Sequence, residues 1–350
     1  MTRTSIEWTD ATWNPTRGCS RESPGCVHCY AETMAGRFAA AWGSPEIVKP
    51  DGTWSGVLAL VPDKLLEPLS WRAPRRVFVD SASDLFHPAV PDEFIDSVFA
   101  VMACSEFMHR CRRRECDHDS IACSDALEPP VGHVFQVLTK RHERMLRYMS
   151  THGRPELIVE AAHNDIGLGL HDDALEKMEW PLRKVWLGVS VENQAYADER
   201  IPALRKTPAE VRFISYEPAL GPVDFSEALR FDAERAGLAD DPLAAVMLAR
   251  AVEEGRGDGP RGVDWIIVGG ESGRGARPFD VAWARSTVAA CKAAGVPCFV
   301  KQLGDNAGPH LHTRLGRGAH ANDGEFLVTK AKGGDMSEWP ADLRVREFPR

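Results

Sequence analysis

Val185-Trp-Leu-Gly-Val-Ser-Val-Glu-Asn193 is an apolar run that stops in polar residues, and a helical pattern over 195–204 follows it. An apolar segment this short, with polar side chains at its end, reads as a strand covered on both faces. The same grammar recurs along the chain. Val77-Phe-Val-Asp80 ends in Ser81, Ser83 and Asp84, and Pro91-Asp92 then starts a helix over 94–102. Val134-Phe-Gln-Val-Leu138 ends in Thr139-Lys140-Arg141 ahead of a helix over 143–148. Val211-Arg-Phe-Ile-Ser215 ends in Tyr216-Glu217-Pro218. Trp265-Ile-Ile-Val268 ends in Gly269-Gly270-Glu271-Ser272, and the helix over 281–294 is closed by Gly295. Cys298-Phe-Val300 ends in Lys301-Gln302, and a further short apolar run lies at 57–60.

Six or seven strands alternating with helices predict an α/β fold, a parallel sheet covered by helices. A partial or complete (β/α) barrel and an open doubly wound sheet both satisfy this pattern. The polar strand ends all fall on the C-terminal side, the rim on which barrel enzymes build their sites.

Residues 1–304 read as one barrel-like domain with insertions at 104–132, 151–180 and 224–262; the first eighteen residues are a strand or extended lead-in. A helix is expected over 31–42, a short one over 62–67, and another over 242–255 within the acidic third insertion. The polar, Gly-rich stretch 305–350 is expected to pack on the barrel or trail from it without a core of its own. A net charge of −9 argues against a broad nucleic-acid surface, although Arg72, Arg75, Arg76, Arg110 and Arg112 to Arg114 leave room for a local basic groove. No apolar run is long enough to span a membrane, and the N-terminus is no signal peptide. The nine cysteines therefore read as reduced, which implies a cytoplasmic protein.

Three of those cysteines are gathered in Cys19-Ser-Arg-Glu-Ser-Pro-Gly-Cys26-Val-His-Cys29, where Pro24-Gly25 turns the chain between them. Thiolates so placed suit zinc or an iron–sulfur cluster. Structural sites take four protein ligands, so three leave a metal position open for chemistry. His28 abuts Cys29 and is read as a neighbour of the metal site rather than a ligand. A second set, Cys111, Cys116 and Cys123 with His118 or His109, lies in a polar segment. A zinc ion would give that segment a reason to be ordered; a solvated basic loop with incidental cysteines is the other reading.

A three-cysteine loop ahead of alternating strands and helices resembles the radical S-adenosylmethionine (SAM) superfamily. More closely, the chain is similar to the phage-associated radical-SAM-like three-Cys-motif family of unassigned function. Trp13-Asn-Pro-Thr-Arg-Gly-Cys19, Pro24-Gly-Cys26, Cys29-Tyr-Ala-Glu32, Ser83-Asp-Leu-Phe-His87, Gln136-Val-Leu-Thr-Lys-Arg141, Gly269-Gly-Glu-Ser-Gly273 and Glu338-Trp-Pro-Ala-Asp-Leu-Arg-Val-Arg346 carry the likeness. The superfamily's usual spacing is C-x3-C-x2-C, so the longer first gap here is a departure. The resemblance implies a partial barrel of radical SAM type in which Cys19, Cys26 and Cys29 bind a [4Fe–4S] cluster and SAM fills the open iron. An electron donor would then drive reductive cleavage of SAM, starting radical chemistry on a nucleotide or nucleic-acid substrate, with room left for a partner protein.

The same resemblance assigns cofactor contacts to His28 and Tyr30 beside the cluster, and to Ser190 and Glu192 at the end of a central strand, where a rim salt bridge is the equal alternative. From their own places at strand ends, Asp84, Lys301 and the Gly269-Gly270-Glu271 loop read as further cofactor contacts and Lys140 and Glu217 as touching substrate, with structural rim ion pairs as the other reading for the charged residues. The loop's glycine spacing fits neither a dinucleotide fingerprint nor a P-loop, and a plain tight turn explains it equally. Trp13, His87 and Trp283 read as packing residues. The competing function is a zinc-stapled, non-catalytic barrel that binds nucleic acid or a partner protein. A phosphate-ester hydrolase would need a dense carboxylate–histidine motif, which the sequence lacks.

Overall fold

The computed structural model describes residues 4–38, 45–107, 110–111, 127–128, 131–164, 178–232, 238, 240–253, 262–307, 321–322, 326–327 and 331–349. Seven strands form one sheet in simple chain order: β1 (Ala11–Trp13), β2 (Arg76–Val79), β3 (Val134–Thr139), β4 (Val185–Ser190), β5 (Val211–Tyr216), β6 (Trp265–Gly269) and β7 (Cys298–Gln302). The pairs β1–β2, β2–β3, β5–β6 and β6–β7 are parallel. Helices fall between them: α1 (Tyr30–Arg37), α2 (Asp92–Phe107), α3 (His142–Met149), α4 (Arg154–Asn164), α5 (Gln194–Lys206), α6 (Ser226–Leu229), α7 (Pro242–Glu253) and α8 (Val281–Ala294). This is a mixed α/β chain whose parallel sheet is compatible with a partial (β/α) barrel.

Strands β4, β5 and β6 are buried at every residue, Arg212 of β5 included, as strands covered on both faces are. Gly188 interrupts the β4 run for a packing reason: a Cβ there would lie 2.6 Å from the Phe213 ring. Phe213 in turn stacks against Trp265 at 5.7 Å.

The chain divides into two compact units. The first holds residues 1–21, 30–186 and 207–210. Its core includes Trp13, Val77, Val79, Phe86, Phe99, Phe135 and Tyr148. Asp96 on α2 accepts from the Tyr148 hydroxyl at 2.6 Å and from Arg154 at 2.8 Å, which ties α2 to α3 and α4.

The second unit holds residues 22–29, 187–206 and 211–350. Asp280 caps α8 by accepting from the Ala282 amide, and Gly295 ends the helix at φ 69°. Residues 339–348 are part of this unit's core. Trp339 and Leu343 are buried, and Phe348 packs on Trp265 and Phe299 at 5.4 and 5.3 Å. Val300 donates to the Val345 carbonyl and Glu347 to that of Cys298, so the tail runs antiparallel along β7.

Several expected elements differ. The run at 57–60 supplies only Ala59–Leu60, antiparallel to Thr16–Arg17; the seventh sheet strand is β1, from the lead-in. The helix expected over 62–67 is two 3-10 turns, Pro62–Lys64 and Glu67–Ser70, because Pro68 cannot donate the bond that would join them. Helix α1 ends at Arg37, and 39–44 lie outside the described residues. No helix among the described residues is long and apolar enough to cross a membrane.

Candidate functional site

The cysteine stretch is shared between the units: Cys19 belongs to the first, Cys26 and Cys29 to the second. None of the three is in a disulfide, and all are of intermediate exposure.

In the first unit the ends of β2 and β3 converge on one carboxylate. Asp84 Oδ1 accepts from the Phe86 amide at 3.0 Å and the Thr139 hydroxyl at 2.7 Å. Its Oδ2 accepts from the Lys140 amide at 3.2 Å and Arg141 Nη1 at 2.8 Å. Asp84 is buried, and with these four donors its work is to fix Arg141. Arg141 then reaches the cysteine stretch: Nη2 donates to the Ser20 carbonyl at 3.1 Å and hydroxyl at 2.9 Å, and Nη1 lies 3.9 Å from Cys19 Sγ. His87 Nε2 is 2.9 Å from the same Ser20 hydroxyl.

His87 is therefore more than packing. Its burial, with Arg141 and Arg144 nearby, outweighs the pull of Asp84 and lowers its pKa to about 4, so the ring is neutral. Just beyond, Glu32 holds Arg21 in a two-point ion pair and accepts from the Trp54 amide at 2.9 Å. Asp80 takes the Thr16 amide at 3.0 Å, and burial raises its pKa to about 8. Tyr30 is 74% exposed, and the backbone amide of Lys140 is spent on Asp84.

In the second unit Pro24–Cys26 forms a 3-10 turn, and the Cys29 amide donates to the Cys26 carbonyl at 3.3 Å. Cys26 Sγ accepts from the Glu22 amide at 3.5 Å and lies 3.9 Å from the Ser23 hydroxyl. Ser23 donates to Glu192 Oε1 at 2.6 Å, and Glu192 Oε2 pairs with Arg200 at 3.1 Å. Both Glu192 and Arg200 are sealed from solvent; Arg200 also donates to the Ser190 carbonyl at 2.9 Å and stacks on Tyr196. Ser190 and Glu192, expected against a cofactor, are thus brought to the cysteine loop as its buried support.

The Gly269-Gly270-Glu271 loop acts on the same segment. Glu271 Oε2 lies 2.9 Å from His28 Nδ1 and accepts from the Arg277 amide and Nε, both at 2.9 Å. Arg277 Nη1 donates to the Pro24 carbonyl at 2.9 Å. Burial alone would raise the Glu271 pKa; the hydrogen bonds from Arg277 and His28 overcome it and leave the carboxyl below its ordinary value. The close approach allowed by Gly270 is to the chain itself, since a Cβ there would sit 2.8 Å from the Leu303 carbonyl carbon. Glu217 and Lys301, at the ends of β5 and β7, pair at 2.5 Å.

Ser20, Ser23, Arg200 and Arg277 escaped sequence reasoning. The two serines flank cysteines, which was a usable signal; Arg277 is 253 residues from its partner Pro24, and nothing local marks it. Cys116, His118 and Cys123 lie outside the described residues, as does the side chain of Cys111. Among the described residues no group of three or more His, Cys, Asp or Glu side chains is gathered to hold one metal ion. A four-iron cluster asks for something else, since each thiolate binds its own iron.

A family model described as a protein of unknown function, DUF5131, matches residues 3–110 and 119–331. No curated protein matches the chain. No solved structure matches it either.

Proposed function

The chain belongs to the DUF5131 family, and from the chemistry of its cysteine loop we propose that it is a radical SAM-type enzyme acting on a nucleotide or nucleic acid. The observation that carries this reading is the setting of the sulfurs. Cys26 Sγ accepts a backbone N–H from Glu22, and Cys19 Sγ lies beside the Arg141 guanidinium. Amide donors and a cation stabilise thiolates and are what a negatively charged iron–sulfur site draws from its protein. Three cysteines on one turn-containing loop are a donor set of the kind that a [4Fe–4S] cluster takes, and in this reading Cys19, Cys26 and Cys29 would hold it.

When bound, that cluster would supply the electron that cleaves SAM to a 5′-deoxyadenosyl radical. The residues of the chain have supporting tasks. Asp84 aims Arg141 at Cys19 and Ser20. Glu192, neutralised by Arg200, holds Ser23 beside Cys26. Glu271 orients His28, and Arg277 fixes the turn at Pro24. Glu217 and Lys301 offer a charge pair at strand ends for substrate contact, with Lys140 as a further candidate.

Anaerobic reconstitution with iron and sulfide tests the proposal. The protein should turn brown, carry about four irons per chain, and release 5′-deoxyadenosine from SAM under reduction. Cys26→Ala should lose the iron. A colourless product loaded with zinc, or iron unchanged in Cys26→Ala, would rule the reading out.

A further inference from the structure

The hydroxyl of Ser20 is surrounded by donors. Arg141 Nη2 lies 2.9 Å from it, and a guanidinium nitrogen has only hydrogens to offer. His87 Nε2 lies 2.9 Å away on its own approach. The tautomer of His87 is set by its other nitrogen: Nδ1 is 3.1 Å from the Ala89 amide, which donates, so Nδ1 carries the lone pair. The ring proton is then on Nε2, and it points at Ser20. Both lone pairs of the Ser20 oxygen are occupied, and its single proton must find an acceptor elsewhere. No described residue takes it, and Ser20 is only half-buried.

Hydrogen bonds received by a hydroxyl polarise its O–H and strengthen the bond that it donates, more so when one of them comes from a cation. Such a donor favours a strong acceptor. We propose that Ser20, backed by Arg141 and His87, is a binding point for a carboxylate or phosphate oxygen of a ligand, next to Cys19. Arg141 stays a cation but is paired with Asp84 at 2.8 Å, so the two together carry little net charge and selectivity comes from the directed O–H. The site rests on the radical SAM reading only for its neighbour; the hydrogen-bond argument stands without the cluster. Two sources share the chemistry, the carboxylate of SAM and the phosphate of a nucleotide.

Calorimetric titration of the full chain, before and after anaerobic reconstitution, tests this with four probes: SAM, decarboxylated SAM, AMP and adenosine. The expected result is that SAM binds better than its decarboxylated form, or AMP better than adenosine. Ser20→Ala should weaken the favoured probe about tenfold and abolish that preference, while Ser20→Thr, which keeps the donor, should restore it. Equal binding within both probe pairs, or unchanged affinity in Ser20→Ala, would overturn the inference. Binding with the expected preference by a chain that takes up no iron would uphold the site and sink the radical SAM reading.

Discussion

Replacing Gly25 by alanine is a small change with a sign that the structure decides. Gly25 lies in the 3-10 turn Pro24–Cys26, and its backbone is not in the left-handed region, so alanine is conformationally acceptable. On propensity alone the change would stabilise by about 0.4–1 kcal/mol. The new Cβ, however, would lie 2.8 Å from Cγ and 2.9 Å from Cδ of Glu192. Glu192 cannot retreat, because it is sealed from solvent and paired with Arg200 at 3.1 Å. The turn must move instead, and the Ser23–Glu192 bond of 2.6 Å goes with it. A hydrogen bond to a charged group is worth about 1.5–3 kcal/mol, so the net cost should be about 1–2 kcal/mol after the propensity gain.

Urea unfolding reads the stability, and limited trypsin cleavage after Arg21 reads detachment of the turn. A double-mutant cycle with Glu192→Ala isolates the clash. That variant alone should be costly, about 3–5 kcal/mol, because it strands the Arg200 charge, but it should make Gly25→Ala nearly free. A Gly25→Ala protein as stable and as protease-resistant as the parent would refute the packing argument.

Other consequences can be measured directly. Asp80 is held protonated by burial, its pKa raised from 3.8 to about 8. Between those values the unfolded chain has released its proton while the folded one keeps it, so stability should fall as pH rises through that window, by up to about 1.4 kcal/mol per unit. Asp80→Asn should flatten this fall and raise the melting temperature at pH 8, helped by asparagine's tolerance of the φ of 55° found there; melts at pH 5 and pH 8 that shift in parallel would contradict it. Arg277→Ala removes the bond to the Pro24 carbonyl and the main partner of Glu271. Iron retained per chain after reconstitution and desalting should drop severalfold, with Arg277→Lys intermediate because lysine cannot span both partners.

Strands of the sheet were legible because their apolar runs are short and end in polar residues. The run starting at Val185 and those starting at Val211 and Trp265 match β4, β5 and β6 within a residue or two. Strand β1 was legible only as a strand or extended lead-in without bounds, because three residues in a stretch rich in Thr and Trp give no periodicity to count. The α8 boundaries could be read because Gly295 marks the stop chemically. For the site, the residue types at the strand ends were visible, whereas their partners were not. The place of Glu192 after β4 fits a ligand contact and a salt bridge alike; the partners that bury it, Ser23 and Arg200, are set by packing that no local pattern encodes. His28 and Glu271 meet across 243 residues, a pairing that no local pattern encodes.

Strand β7 ends the sheet order, and the stretch 345–347 lies along it with its own backbone pairs, pinned by Phe348. An open sheet edge recruits other chains, so this strap also guards against self-association. Deleting 339–350 should uncover the edge of β7 and promote aggregation through that strand, even with the cysteine loop untouched. For anyone preparing the protein, affinity handles belong at the other terminus.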